Sequence, residues 1–581
     1  MIDKSTASFA QSMCLGEIEE DILLPYPTIK EAEKETLRAT FESFDALFKP
    51  HEKDFAKWDK DAHLPPEFID ELKQFGGFGL VIPEAFGGIG LGSAAYSRAV
   101  QEVAKYDGSV AVSLGAHSSI GMRGLLLFGT DEQKKRYLPK LATGELIAAF
   151  CLTEAGAGSD AAAIKTRAVR EGGDWILNGE KIWITNGGFA NFFTVFAKTP
   201  GEGGKAHMTA FLVTRDMGGL TNGPHEDKMG IRASSTTTIV LDNVRVPAAN
   251  MLGQPGQGFK IAMKILNSGR TGLGGGSVGA MKRVIGLAAN QAKDRHQFGQ
   301  PIMNFGLVKQ KLGHMVVDCY VTESTVNMLA GIIDQGYEDY AVEAAISKVF
   351  ASECLWRVAD QALQIAGGNG YMREFPYERI LRDCRINRIF EGTNDILRLF
   401  IALTGMKGVG EQLKELTSSL RGVFDDPIKG FGVLSDYALK HASFYTPLER
   451  PKSRFTRLAP EINEQAVIFE EGVRKLAAAA DRVLRKHGKR IVEKQFATRR
   501  LSDIMIDLYT LACTLARVDQ AVKEKGAAKC SRELAVLEIF GRQAKGRVSR
   551  NFNRIDDNDD EVIKALADHV CEVGRYDWDN I

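Results

Sequence analysis

The sequence has no excess of either charge: Lys plus Arg and Asp plus Glu each number 74 in 581 residues, and the isoelectric point is about 7.1. A neutral chain carries no global field that draws in nucleic acid, so no nucleic-acid partner is expected. Cysteine is sparse. Cys14, Cys151, Cys319, Cys354, Cys384, Cys513, Cys530 and Cys571 are scattered without a CxxC pair. That spacing argues against a disulfide framework and against a zinc site, and it points to a reducing compartment with no metal. There is no run of about 18 uninterrupted apolar residues to cross a membrane. The N-terminal stretch MIDKSTASFAQSMCLGEIEED lacks the basic start and apolar run of a signal segment. The expectation is a cytoplasmic protein, at most peripheral on an inner membrane, or on the matrix side if the chain is a processed mitochondrial one. Fixed-period repeats and low-complexity tracts are also missing.

What the chain does have is length and a change of period. At 581 residues it is too long for one core, and about three or four domains are expected. Helical spacing runs through EKETLRATFESFDALF and its neighbours up to residue 148. Between 149 and 257 the pattern becomes short β-rich runs, WILNGEKIWITN, NFFTVFAKT, HMTAFLVTRD and TTTIVLDNVRVP, divided by turn residues; a small barrel is expected. Long helical patterns return over 258–405 and fit a four-helix bundle. A linker that includes DDPIKGFG and TPLERPKSRFTRLAP then leads to further helices, making 406–581 a fourth part.

Four short segments carry candidate chemistry. In CLTEAGAGSD, residues 151–160, the glycines allow close backbone approach, and Thr153, Ser159 and free amides could hold a phosphate or a ring edge; an ordinary turn reads equally from the segment alone. The third glycine of a dinucleotide fingerprint is missing. In KIWITNGG, residues 181–188, Trp183 and Thr185 lie one strand alternation apart and form either a cofactor wall or core and rim. QIAGGNGY, residues 364–371, closes a helix; a helix stop explains one glycine, and the others suggest that something approaches the backbone. In IFEGTNDILRL, Glu391 stands among Ile389, Phe390 and Gly392 before a helix that Thr393 or Asn394 could cap. An apolar collar raises a carboxylate's proton affinity, as a base for a weak carbon acid requires, whereas a solvated helix-start Glu is the ordinary alternative.

In this order and spacing the four segments resemble the acyl-CoA dehydrogenase family over about residues 40–405. The resemblance implies an α+β, mostly α fold: an N-terminal helical domain, a middle β-barrel domain and a C-terminal four-helix bundle. Residues 406–581 resemble the additional helical domain of the very-long-chain branch. The implied activity is FAD-dependent α,β-dehydrogenation of acyl-CoA thioesters in fatty acid β-oxidation, with Glu391 as catalytic base and an electron-transfer flavoprotein as acceptor. Carried over by position, Phe150, Leu152, Thr153, Gly158 and Ser159, together with Trp183, Ile184 and Thr185, would line the flavin. Arg295 and Phe298 in DRHQFGQPIMNFG would reach FAD, and Gln364, Ile365, Gly367 and Gly368 would cradle its diphosphate side across a homodimer interface. Thr393, Asn394 and Asp395 would also touch FAD. The Glu391 amide and a flavin hydroxyl would hold the thioester carbonyl.

The substrate side carried over in the same way comprises Ser159, Asn267, Arg270 and Gly392, with Arg270 as either an active-site arginine or a structural ion-pair partner. Gly269 matches the position where a short branched-chain subgroup carries its base, and a glycine cannot serve. Ala155 departs from the family's usual Pro, and a looser loop is expected there. Val112, Gly115 and Ala116 stand where medium-chain relatives have polar side chains, and small residues leave room for a long acyl tail or for close helix packing. In FEEGVRKLAAAADRVLRKHGKRIVEKQ, Phe469, Val473, Leu476, Ala480 and Val483 share a face opposite basic residues. That face fits peripheral membrane contact or bundle packing. An acyl-CoA oxidase and a non-catalytic assembly protein on the same fold are the competing readings.

Overall fold

The computed structural model describes residues 3–422 and 452–579. The linker motif DDPIKGFG lies outside the described residues, as does the start of TPLERPKSRFTRLAP. The chain forms two compact units, one of Met1–Ala7 and Pro25–Ile396, the other of Ser8–Leu24 and Leu397–Ile581.

In the first unit, helices from Glu31 to Thr143 precede strands β1 (Ala148–Cys151), β2 (Arg167–Glu171), β3 (Asp174–Thr185), β4 (Phe192–Pro200), β5 (Ala206–Thr214), β6 (Leu220–His225), β7 (Thr236–Val246) and β8 (Met251–Leu252). These make one sheet in the order β6-β7-β3-β2-β4-β5-β8, with β1 parallel to β4. Side chains from seven strands, among them Trp175, Leu177, Phe193, Val195, Phe211, Ile239 and Leu241, converge in one core, as barrel-like closure requires. The other face of β4 and β5 offers Phe192, Phe196, Met208 and Leu212 to a second core shared with Met122, Leu125, Tyr137, Ile261 and Ile265. A strand buried on both faces reads as a continuous apolar run, which is why FFTVF does not alternate.

Three long helices follow, Gly258–Asp294, Gly306–Asp334 and Ala341–Ala366, then Tyr377–Cys384 and the start of Asn394–Gly405. The first of them carries glycines where neighbours come close. A Cβ on Gly275 would lie 2.8 Å from the Ser97 carbonyl oxygen, and one on Gly279 would lie 2.0 Å from that of Gln101. The helix Ser93–Tyr106 therefore packs backbone to backbone against it. The stretch Gly108–Phe128 is apolar and long enough to span a membrane by composition, but it is mostly buried within this unit.

In the second unit, helices Asn463–His487, Gln495–Lys525 and Ser531–Asn553 enclose a core. Phe469, Val473, Leu476, Ala480 and Val483 are all at most 2% exposed. The apolar face that fitted either lipid or a bundle is therefore occupied by the bundle. Ser8–Leu24, grouped by sequence with the first helical domain, packs here instead: Phe9 stacks on Phe469 with ring centres 6.1 Å apart, and Cys14 meets Met505 at 3.7 Å. All eight cysteines are free, and only Cys571 is exposed.

Gly279→Ala is expected to lower stability by about 1–3 kcal/mol through overpacking. Gly286→Ala, on the same helix with nothing within 4 Å of a new Cβ, should raise it by about 0.5–1 kcal/mol. Urea midpoints of the two variants check the contrast.

Candidate active site

Glu391 lies in the loop between the helical turn Arg385–Arg388 and the helix Asn394–Gly405. The Phe390 N–H still donates to the Ile386 carbonyl at 3.1 Å. The backbone then turns left-handed, with φ of 56° at Glu391 and 93° at Gly392. A residue with a side chain loses about 1–2 kcal/mol in that conformation, so the loop must be held by its surroundings.

Two buried cations hold it. Arg270, from the helix Gly258–Asp294, donates through Nη2 to the Glu391 carbonyl at 3.3 Å and through Nη1 to Asn267 Oδ1 at 2.7 Å. Lys348, from the helix Ala341–Ala366, donates to the Gly392 carbonyl at 2.8 Å and to Asn394 Oδ1 at 2.9 Å. Asn394 Nδ2 in turn donates to Ser352 Oγ at 3.0 Å and to Glu353 Oε1 at 3.2 Å. Thr393 Oγ1 accepts from the Ile396 N–H at 3.3 Å and caps the next helix.

Neither cation bonds the Glu391 carboxylate. Its Oε2 is shut off from water and has no hydrogen-bond partner among the described residues. Burial pushes Glu391 up to about 6, while the charges on Arg270 and Lys348 hold it from rising further. Burial also pulls Lys348 down to about 7 and Arg270 down to about 10. The carboxylate faces Gly269, where a Cβ would sit 3.3 Å from Oε2 and 2.7 Å from Ile120 Cγ2. Positions 269 and 391 thus address the same point, and only 391 bears an acid.

The apolar stretch beside it begins with Asp107, whose Oδ1 caps Gly108–Gly115 by accepting from the N–H groups of Ser109 (2.8 Å) and Val110 (3.1 Å). The helix then widens: the Met122 N–H reaches the His117 carbonyl, five residues back, at 3.1 Å, a π-type turn of the kind found at functional sites. Val112 and Gly115 are half-buried and Ala116 is buried. A Cβ on Gly115 would meet only Ser119 Oγ, at 3.8 Å.

The first two glycine-containing segments converge at the ends of β1 and β3. The Ile182 N–H donates to the Thr153 carbonyl at 2.9 Å. The buried Lys181 donates to the Leu152 carbonyl (3.1 Å) and to Glu154 Oε1 (2.7 Å), while Glu154 also accepts from Thr166 and Lys165. The loop with Ala155 is thereby pinned from Glu154, without the family's Pro. A register shift against β7 falls between Lys181 and Ile184, and within it Trp183 takes φ of 58° and stands 63% exposed while Ile184 is buried. A bulge re-aims a side chain in this way. Thr153 and Thr185 are half-buried and Ser159 is exposed. Cβ atoms on Gly156 and Gly158 would meet nothing within 4 Å. Phe150, by contrast, packs edge-on against Phe196 at 5.2 Å.

The other two cofactor segments sit at far helix ends. Arg295 follows the C-terminus of Gly258–Asp294, and Phe298 occupies the tip of a hairpin, 93% exposed, with positive φ at both Phe298 and Gly299, as a type I′ turn requires. Gln364, Gly367 and Gly368 are exposed at the end of Ala341–Ala366, with Ile365 buried; Gly367 has φ 62° and ψ −132°, and neither glycine has a neighbour within 4 Å of a Cβ. At 1.5 Å per residue, Gln364 lies about 24 Å along its helix from Lys348, and Arg295 about 37 Å from Arg270. Neither group closes on its own chain's Glu391. Asn394 faces inward to Lys348, whereas Asp395 is exposed.

Models of the acyl-CoA dehydrogenase N-terminal, middle and C-terminal domains match residues 31–145, 149–244 and 256–405, and a model of the ACAD9/ACADV C-terminal domain matches 460–576. The chain belongs to the acyl-CoA dehydrogenase family. Its relatives include the human mitochondrial very long-chain specific acyl-CoA dehydrogenase, 44% identical over 93% of this chain and 83% of that protein. A crystal structure of the acyl-CoA dehydrogenase of Bacillus anthracis complexed with FAD superposes with a TM-score of 0.81 at 32% identity, covering 99% of this chain and 97% of that one. A chain from a structure of the electron transferring flavoprotein of Acidaminococcus fermentans matches 64% of this chain and 98% of its own, with a TM-score of 0.62 and 35% identity.

Within this acyl-CoA dehydrogenase chain, sequence reading missed Lys348, the Lys181–Glu154 pair and Asn186. Asn186 Nδ2 donates to the Ser113 carbonyl at 2.9 Å and the Ala148 carbonyl at 3.3 Å, joining the apolar helix to β1. A lysine on the inner face of AVEAAISKVFASECLW was the available signal for the first.

Because burial raises Glu391 from 4.5 to about 6, its stabilising share is present below pH 4.5 and lost as pH rises through 6. Glu391→Gln should therefore stabilise the fold at pH 8 by about 2 kcal/mol and progressively less towards pH 5. Melting curves at both pH values test this; an equal effect at the two would contradict it.

Proposed function

We propose that this chain oxidises long-chain acyl-CoA thioesters to trans-2-enoyl-CoA with Glu391 as the base. The observation that carries the reading is the buried carboxylate oxygen without a partner, facing Gly269 and Ile120, beside an apolar helix of small residues. The residues present fit FAD: Trp183 is turned outward at a bulge, and Gly156, Gly158, Gly367 and Gly368 leave their backbones open to a planar or charged group. Bound FAD supplies the two-electron acceptor for the β hydrogen of the substrate.

The protein's share is position and proton transfer. Glu391 takes the α proton onto Oε2, and no acceptor competes for that oxygen. The Glu391 N–H makes no hydrogen bond among the described residues and is free to donate to the thioester carbonyl, where negative charge builds as the proton leaves. Thr153, Ser159, Trp183 and Thr185 line the flavin side, with Leu152 and Phe150 backing them, while the Ile184 side chain is turned into the core of the sheet and leaves only its backbone for the flavin. Asn267, Arg270 and Gly392 lie on the substrate side. Val112, Gly115 and Ala116 leave the acyl slot deep, and each further buried methylene adds about 0.8 kcal/mol.

A homodimer completes the site in this reading. Arg295, Phe298, Gln364, Gly367 and Gly368 are too far along their helices to serve their own Glu391, so a second copy receives them. Leu307 at 74%, Tyr371 at 81% and Met372 at 53% exposure are the apolar surface such a partner covers. Electrons pass on to an electron-transfer flavoprotein. The four functional parts are 1–148, 149–257, 258–405 and 406–581, except that Ser8–Leu24 belongs with the last of them. Any membrane contact through the last is electrostatic, by exposed Arg485, Lys486, Lys489 and Arg490, because the apolar face of that helix is buried. Pelleting with anionic vesicles that persists in high salt would count against that contact.

Anaerobic addition of acyl-CoA esters should bleach the flavin, fastest with long chains. The rate should fall about tenfold per pH unit below 6, as Glu391 becomes protonated. No bleaching with any chain length would sink the reading. Gly115→Phe should move the preferred length to shorter acyl groups, read as the ratio of kcat/KM for long and short substrates; an unchanged ratio would place the slot elsewhere.

A further inference from the structure

Resting on that reading, we infer that Lys348 is a positioning residue: it fixes the left-handed turn that presents Glu391 and sets the field in which Glu391 gives up its proton, without ever pairing with the carboxylate. Lys348 is fully buried on the inner face of Ala341–Ala366. A buried ammonium is expensive unless its hydrogen bonds are satisfied, and the nearby carboxylate would be its ordinary partner. It bonds instead to the Gly392 carbonyl at 2.8 Å and Asn394 Oδ1 at 2.9 Å.

The choice of acceptors has two consequences. Gly392 and Asn394 flank the turn, so one side chain grips the loop on the C-terminal side of Glu391 while Arg270 grips the Glu391 carbonyl itself. Positions 348, 352 and 353 of one helix then hold Asn394 by three groups, Lys348 Nζ, Ser352 Oγ and Glu353 Oε1. The second consequence is electrostatic. A direct ion pair would tie up the carboxylate and make it a poor base. A cation that bonds the adjacent backbone keeps the carboxylate free while its charge, present below about pH 7, offsets burial over the range in which Glu391 titrates.

The charged and titratable groups facing this point are Arg270 from Gly258–Asp294, Lys348 and Glu353 from Ala341–Ala366, Arg388 from the preceding turn and Tyr96 from Ser93–Tyr106. Of these, Arg270 and Lys348 act on Glu391 by charge to favour its ionised form. Sequence spacing gives no hint of the arrangement, since residues 348 and 391 are far apart in the chain.

The test replaces Lys348 by Met, Gln and Arg and follows the pH dependence of anaerobic flavin bleaching by a long-chain acyl-CoA. Bleaching by the wild-type protein tests the functional reading; the variants test Lys348. Lys348→Met and Lys348→Gln should bind FAD, keep KM within about twofold, and move the acidic limb of kcat upward by about 1 pH unit, a loss of about fivefold at pH 6 that approaches tenfold below pH 5. Lys348→Arg should keep the wild-type limb. The Glu391 carboxyl band in infrared difference spectra, identified by its loss in Glu391→Gln, should titrate upward by the same amount in the neutral variants without substrate. Neutral variants with the wild-type limb and an unmoved carboxyl band would overturn the proposal. Loss of fold in both neutral variants would overturn it as well, because Lys348 would then belong to the packing alone.

Discussion

The site depends on a carboxylate with one oxygen kept out of water and out of an ion pair at the same time. Either condition alone is common. Together they need cations close enough to hold the ionised form within reach and yet committed to other acceptors. Arg270 and Lys348 meet that need by bonding consecutive backbone carbonyls, those of Glu391 and Gly392. The left-handed backbone at these two residues goes with carbonyls that both meet the cations and with a Glu391 N–H that makes no hydrogen bond among the described residues.

The rest of the first unit can be understood as what brings those parts together. Arg270 and Lys348 come from two long helices that must pack closely, and the first is threaded with glycines at its contacts with Ser97 and Gln101. Gly269 serves the chemistry more directly, since any side chain there would strike Ile120 and crowd the carboxylate. In the middle sheet a bulge in β3 forces Trp183 outward while Ile184 stays in the core. The same long helices carry Arg295 and Gln364 tens of ångströms along their axes from Arg270 and Lys348.

Much of this was legible in the sequence. The change from helical to strand spacing marked the middle sheet, and the four short segments, read together, pointed to the acyl-CoA dehydrogenase family to which the chain belongs. What escaped were features that exist only after folding. Lys348 stands out as a lysine within an apolar helical run, but nothing in the sequence says that its face meets the Glu391 loop. The loop that holds Ala155 is tied through Glu154 to Lys181, Thr166 and Lys165, contacts that single-residue reasoning does not reveal. Ser8–Leu24 sits at the opposite end of the chain from the helices it packs on. The apolar face of Asn463–His487 was equally consistent with lipid or with neighbouring helices, because amphipathicity specifies an apolar partner without saying which one.

The central claim is that the partnerless oxygen of Glu391 takes the α proton of an acyl-CoA. Exchange of the substrate's α hydrogen with deuterium oxide, followed by mass spectrometry under anaerobic conditions, addresses it directly. The account predicts rapid exchange in the wild-type protein, slowing as pH falls through about 6, and none above background in Glu391→Gln. Undiminished exchange in Glu391→Gln would contradict it, since another group would then be removing the proton.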